Sequence, residues 1–321
     1  MTTMRDHPAT VAVVGAGSIG GSWAALALAY GLTVHVADPA FGVEERLRVT
    51  LPAHLGDLGS GPEAMDRLRV HTDMTRAVAH ADLVLEAGPE RVDLKRTLFA
   101  ALDGATDPDV VLASSSSGFG PSTFQDACRH PERVVVAHPF NPPHLVPLVE
   151  VVGGRLTSEE TVAATMSAMT LLHRRPVRVR AELPGHVVNR LQAALWREAY
   201  DLVRRGAISV AELDLAVSSG PGLRWALLGP IATQHLSGGP EGLAHVLAHL
   251  GPPMVEWWSD LGDPALTPEL VTELVEGVTN ELGGREPDIL ARRDRALVEL
   301  LDLKDRHGLG SLDPQAEGVA R

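Results

Sequence analysis

The chain has 321 residues, 45% of them hydrophobic and 21% charged, which suits two domains with a substantial core. Its 28 Lys and Arg against 41 Asp and Glu give a net charge of −13, which argues against nucleic acid and anionic membrane surfaces as partners. It does not exclude a small anionic substrate, because one local Arg outweighs a diffuse field. Cys128 is the sole cysteine, so no disulfide can form within the chain, and a reducing cytoplasm is the expected compartment. The N-terminal stretch has no apolar signal region and no apolar run reaches membrane-spanning length. No metal site is expected.

Residues 10–14 read as a buried strand that runs into Gly15-Ala-Gly17-Ser18-Ile19-Gly20. An alanine-rich helix follows over 22–30, then a second strand over 32–37 that ends at Asp38. Glycines at this spacing let the chain turn tightly and approach a pyrophosphate, which then rests on a helix N-terminus. A lone GxGxxG is weak evidence, but the flanking strand and helix and the acid closing the next strand make it strong here. Gly15, Gly17, Ser18, Ile19 and Gly20 are therefore candidate cofactor-binding residues, with Asp38 accepting from the adenosine ribose. Asp38 repels a 2′-phosphate and Pro39-Ala40 offers no Arg to hold one, so the cofactor expected is NAD rather than NADP.

The alternation continues with a helix over 41–58, short strands over 68–72 and 81–87, a helix over 92–102 and a strand over 110–114. Strands and helices at this spacing predict a Rossmann-type, doubly wound, mostly parallel sheet with ligands at the carboxyl ends of its strands. Glu90, Lys95 and the serine run Ser114–Ser117 fall at such ends.

Val134 to Ala137 is a β-branched run that delivers His138 to the end of a strand. Four prolines in the next stretch prevent helix and ladder pairing, so the chain crosses the top of the sheet as a stiff loop. The apolar run at 148–152 then carries Glu150, an expensive carboxylate unless something pairs with it. His138 is the partner expected. A His held by a carboxylate is an oriented general base with a stabilised imidazolium form. Either residue alone is more often structural; the two together across this loop point to catalysis.

A helix over 158–172 and a last strand over 176–180 complete this part. From Pro184-Gly185 onward the pattern is helical only, starting with a long helix that has Asn189 in its first turns. The expected division is an NAD-binding domain over 1–184, an all-helical domain over 185–308 and a frayed tail over 309–321. Gly220 to Pro230 reads as a break between helices around Arg224, and further helical segments cover 242–250, 267–276 and 288–304. Trp257-Trp258 reads as interface or core packing.

With these landmarks in place, the chain resembles the 3-hydroxyacyl-CoA dehydrogenase superfamily over essentially its whole length. The resemblance rests on Gly15-x-Gly17-x-x-Gly20, Asp38, Glu86-Ala-Gly-Pro-Glu90 with Lys95, Ser114–Ser117, His138-Pro-Phe-Asn-Pro through Glu150, and Pro184-Gly-x-x-x-Asn189-Arg. It implies that His138 and Glu150 form a catalytic dyad, that Ser117 and Asn189 bind the reacting oxygen, and that Glu90 and Lys95 contact the nicotinamide half of NAD, with Ser115 also at the cofactor. The segment 41–69 lacks the lysine-rich insertion expected of a CoA binder. The stretch around Arg224 is similar to the branch of the family that oxidises free hydroxy acids, the L-carnitine 3-dehydrogenases and L-gulonate 3-dehydrogenases (lambda-crystallin), and is closer to the former. A guanidinium fork fits a carboxylate bidentately, so Arg224, with Asn141, is the expected substrate-binding set.

The function expected is thus reversible NAD-dependent oxidation of a small free 3-hydroxy acid to the 3-oxo acid. A trimethylammonium substrate wants an aromatic cage, and His144 and the stretch Ile231 to His235 are poor in aromatics. An acyl-CoA dehydrogenase and a catalytically silent, crystallin-like NAD-binding protein are the alternatives. Apolar faces in the helical part, with Leu191, Leu195 and Leu202, predict a homodimer through that domain.

Overall fold

The structure is a computed structural model describing residues 4, 5 and 7–310. Most of the tail expected over 309–321 lies outside the described residues. The chain divides into two compact units, one ending at Arg190 and the other starting at Leu191.

The first unit follows the order β1 (Thr10–Val14), α1 (Ser18–Ala29), β2 (Thr33–Ala37), α2 (Val43–Asp57), β3 (Leu68–His71), α3 (Met74–Val78), β4 (Leu83–Glu86), α4 (Val92–Ala105), β5 (Val111–Ser114), β6 (Val134–Pro139), β7 (Leu148–Gly153), α5 (Glu159–Leu171) and β8 (Arg175–Val179). The strands form one sheet ordered β3-β2-β1-β4-β5-β6-β7-β8. All neighbours are parallel except β6 and β7, which run antiparallel and reverse the direction of the last two strands. Val11 and Val13 face one apolar cluster with Trp23, Leu26 and Leu51. Ala12 and Val14 face a second cluster with Phe99, Leu102 and Phe124. The central strands are apolar on both faces because helices cover both sides of the sheet.

α1 begins at Ser18, earlier than the helix expected from residue 22. Two glycines in its first turn lower helix propensity, but close packing requires one of them. A Cβ on Gly20 would sit 1.8 Å from the Gly15 carbonyl oxygen, so only glycine lets the helix start this near the turn. Arg133, buried just before β6, pairs with Asp103 at 2.8 Å and anchors the strand that carries His138.

The second unit holds the rest of α6 (Val188–Arg204) and then α7 (Val210–Ser219), α8 (Pro221–Leu227), α9 (Pro230–Ser237), α10 (Leu243–Asp260), α11 (Pro268–Leu282) and α12 (Glu286–Arg306). Within Gly220 to Pro230, expected as a break between helices, the chain forms a short helix, α8, with Arg224 inside it. Pro221 sits in the first helical turn, where its missing N–H is not needed, and Gly220 separates α8 from α7. α10 also runs past residue 250 to Asp260, through Pro252 and Pro253. Trp257 and Trp258 on it are 59% and 63% exposed, so neither packs in a core of this chain.

Candidate active site

The glycine-rich turn has the features of a dinucleotide cradle. Gly15 has φ +99°, and a Cβ there would meet the Ala87 carbonyl oxygen at 2.6 Å, so strand β4 and the turn touch backbone to backbone. A Cβ on Gly17 would meet nothing within 4 Å, which leaves open space at the first turn of α1. No side chain caps that helix at Gly17, so the N–H groups of Ser18, Ile19 and Gly20 are positioned for a pyrophosphate. Asp38 braces the turn from the end of β2, accepting from Ala16 N at 2.7 Å and Ala40 N at 2.9 Å. Each carboxylate oxygen keeps a further acceptor site for ribose hydroxyls. Beside it, Val14, Asp38, Pro39, Gly88, Leu94 and Leu98 line a cleft of about 580 Å³. These residues fit NAD.

The loops above β4 and β5 are organised by two acids. Glu86 is fully buried at the end of β4 and accepts from Lys95 Nζ at 2.9 and 2.8 Å, from Ser114 Oγ at 2.6 Å and from Gly88 N at 2.7 Å. Lys95, expected at the nicotinamide, is 1% exposed, and its ammonium is turned to Glu86. The physical reason is Glu86 itself, whose buried charge demands a cation. The sequence carried that signal, a Glu closing an apolar strand, the same one that singles out Glu150. Glu90 Oε1 accepts from Ser116 Oγ at 2.7 Å, Ser117 N at 2.9 Å and Gly118 N at 2.8 Å, which fixes the serine loop. Ser115 Oγ accepts from Trp23 Nε1 at 3.0 Å.

His138 and Glu150 are register partners across the antiparallel β6–β7 pair. His138 Nδ1 lies 3.0 Å from Glu150 Oε2, with the ring 5% exposed and the carboxylate fully buried. That bond occupies Nδ1 and leaves Nε2 as the nitrogen able to exchange a proton. The second Glu150 oxygen accepts from Val187 N at 2.9 Å and Val188 N at 3.0 Å, at the start of α6. Phe140 packs edge-on against the His138 ring at 4.8 Å, and the His186 ring lies 5.2 Å from it. Nothing in the sequence pattern singles out His186.

Asn189 Nδ2 donates to the Ser117 carbonyl at 3.3 Å, so the serine loop and the first turn of α6 meet. Asn141 is exposed in the loop between β6 and β7, where the Asn141–Pro142 peptide is cis. His144, further along that loop, is buried with Nδ1 3.1 Å from Ser22 Oγ and its ring stacked on His54. It belongs to the scaffold. Arg224 lies in the second unit, where it lines a small cavity of about 290 Å³ with Trp225, Pro230 and Ile231. Its side chain is exposed and has no ion-pair partner among the described residues.

The doubly wound sheet, with an uncapped glycine-rich turn that closes on Asp38, defines an NAD-binding dehydrogenase scaffold. The chain belongs to the 3-hydroxyacyl-CoA dehydrogenase family: the description "3-hydroxyacyl-CoA dehydrogenase, NAD binding domain" matches residues 10–182, and the corresponding C-terminal domain matches residues 185–277. It is an NAD-dependent oxidoreductase. An L-carnitine dehydrogenase of Streptomyces coelicolor is 45% identical over 311 residues, covering 95% of this chain and 98% of that one. A Gibberella moniliformis protein named 3-hydroxyacyl-CoA dehydrogenase is 42% identical over 312 residues, covering 94% and 97%. Among solved structures, a 5-formyl-3-hydroxy-2-methylpyridine 4-carboxylic acid 5-dehydrogenase, described as an NAD+ dependent dismutase, superposes with a TM-score of 0.79 at 30% identity, covering 93% of this chain and 99% of that one.

Burial by itself raises the Glu150 carboxyl, but the hydrogen bonds from His138, Val188 and Val187 outweigh it and hold the group below its ordinary value of 4.5. The unfolded chain therefore takes up this proton more readily than the folded one. The stability these bonds give is present above about pH 4.5 and is lost as the pH falls through the lower folded value. In urea titrations between about pH 4.5 and 3, the wild type is expected to lose unfolding free energy more steeply than Glu150→Gln. Equal slopes would show that the carboxylate is not held by these donors.

Proposed function

We propose that this protein oxidises the hydroxyl of a small free 3-hydroxy acid to the 3-oxo acid, reversibly, and that L-carnitine is its substrate. The observation that carries the chemistry is the buried His138–Glu150 pair, set face to face across two strands. NAD, when bound, supplies the hydride acceptor. His138 takes the hydroxyl proton on Nε2 while Glu150 fixes the ring and compensates the imidazolium. Ser117 and Asn189, brought together at the serine loop, hold the reacting oxygen. Gly15, Gly17, Ser18, Ile19 and Gly20 seat the dinucleotide, Asp38 and Ser115 flank it, and Glu90, which pins the serine loop, and Lys95, paired with Glu86, stand at its nicotinamide half. Asn141 is assigned to the substrate.

Two observations favour a free acid over a CoA thioester. α2 opens with Glu44 and Glu45 rather than with a basic surface for phosphates. Arg224, free of acid partners among the described residues, offers a fork for a carboxylate. The identity to the Streptomyces enzyme supports carnitine, and the His at 144 does not weigh against it, because that side chain is buried in the scaffold. L-gulonate or another compact 3-hydroxy acid is the next reading. A silent NAD-binding protein has no use for an oriented His–Glu pair.

We further propose a homodimer formed through the helical unit, working in the cytoplasm. Leu191, Leu195, Trp196, Trp257 and Trp258 are exposed large apolar side chains on α6 and α10 of that unit. Among the described residues no helix is long and apolar enough to cross a membrane.

NADH formation against a panel of L-carnitine, L-gulonate, 3-hydroxybutyrate and 3-hydroxyacyl-CoA tests the substrate directly, and preference for the thioester would overturn the free-acid reading. His138→Gln is expected to lower kcat by roughly 10²–10⁴ with NAD affinity almost unchanged. Near wild-type turnover in that variant would send the search for the base elsewhere. Arg224→Met should raise KM for the hydroxy acid strongly and leave NAD affinity alone; unchanged hydroxy-acid kinetics would remove Arg224 from the substrate site. Light scattering should give twice the chain mass, whereas a fully active monomer would end the dimer proposal.

A further inference from the structure

His186 stands out as the buried titratable group next to the dyad that the reaction described above does not use. It is fully buried and its backbone is left-handed, with φ +51°, a conformation that is uncommon for a residue with a Cβ. Its Nε2 lies 3.0 Å from the Ser116 carbonyl oxygen. A carbonyl only accepts, so Nε2 carries the hydrogen. Nδ1 is buried and has no hydrogen-bond partner among the described residues. Strain and an unmet acceptor at one residue persist only where the surroundings over-determine them, and such residues gather at functional sites.

The location explains what these costs achieve. The two residues after His186, Val187 and Val188, donate their N–H groups to Glu150. Gly185, with φ +73°, and His186 form the turn that brings those donors to the carboxylate. The His186 side chain reaches back to Ser116, next to Ser117, on a loop that Glu90 also holds. The ring also lies 5.2 Å from His138. One residue thus touches the serine loop, the backbone that holds Glu150 and the flank of the base.

We propose that His186 is a positioning residue for the reaction, a neutral imidazole that locks the serine loop to the turn that feeds Glu150 and so holds Ser117 and the His138–Glu150 dyad as one body. This rests on the assignment of that dyad. The ring bonds the Ser116 carbonyl and lies beside His138 from β6, and it feels the charges of Glu150 from β7 and Glu90 from the loop before α4. Burial pushes the His186 imidazole down; the Ser116 carbonyl opposes this, His138 adds to it, and Glu150 and Glu90 oppose it, leaving the group below its ordinary value. A neutral neighbour matters because a second cation at this distance opposes proton uptake by His138.

Two kinds of measurement test the proposal. In the wild-type protein with ¹⁵N-labelled histidine, the His186 ring is expected to report the neutral Nε2–H tautomer at neutral pH. An Nδ1–H or doubly protonated ring at neutral pH overturns the proposal whatever the substrate. In kinetics with L-carnitine, or with whichever panel acid is turned over, His186→Leu and His186→Gly should lower kcat at least about tenfold while NAD affinity stays within about twofold. His186→Gln keeps a donor within reach of Ser116 and should recover most of the loss. His186→Gly carries no left-handed penalty and keeps the test alive if His186→Leu does not fold. In a His138→Gln background, His186→Gly should cost clearly less than it does alone, because the part of its effect that runs through the dyad is already lost. Wild-type kcat in His186→Gly, or equal losses with and without His138, overturns the proposal, and so does failure of all three single variants to fold. Wild-type turnover in His138→Gln instead refutes the dyad assignment, which separates the two failures.

Discussion

The structure turns on one buried charge. Glu150 sits in an apolar strand with no exposure, and taking a carboxylate out of water costs several kcal/mol unless donors replace the solvent. Three do: the His138 ring on one oxygen and the N–H groups of Val187 and Val188 on the other. Meeting them requires β7 to run antiparallel to β6 so that residues 138 and 150 fall opposite each other, and requires the start of α6 to arrive above the same strand. The strand reversal, the proline-rich loop that makes it and the turn at Gly185-His186 all serve the same carboxylate.

A second acid, Glu86, repeats this design on the cofactor side. It closes β4 in full burial and collects Lys95, Ser114 and the Gly88 amide, while Glu90 collects the serine loop a few residues on. Loops at the carboxyl ends of strands are the parts of this sheet free to vary in position, and here carboxylates placed at strand ends remove that freedom. A site held in this way is organised before a ligand arrives, which is where most of the benefit of positioning lies. The second unit contrasts with this, since its helices leave large apolar side chains such as Leu191 and Trp257 in solvent.

The sequence by itself determined the β1–α1–β2 unit, Asp38 and the alternation behind the parallel sheet, because these depend on local patterns: strand runs, glycine spacing and an acid one strand away. It also determined His138 and Glu150 as a pair, since a lone Glu between valines across a proline loop demands a partner. Only the tertiary structure decided the rest. Lys95 turns inward because Glu86, nine residues away and buried, draws it there. Arg224 sits within a helix because α8 forms between two Gly-Pro steps that read as a break. His186 joins Ser116, 70 residues earlier, through a left-handed turn that no composition or periodicity announces. The physical reason is the same in each case: hydrophobic period and turn chemistry are written along the chain, whereas the partner of a buried polar group is chosen by register and backbone dihedrals that exist only once the sheet has closed.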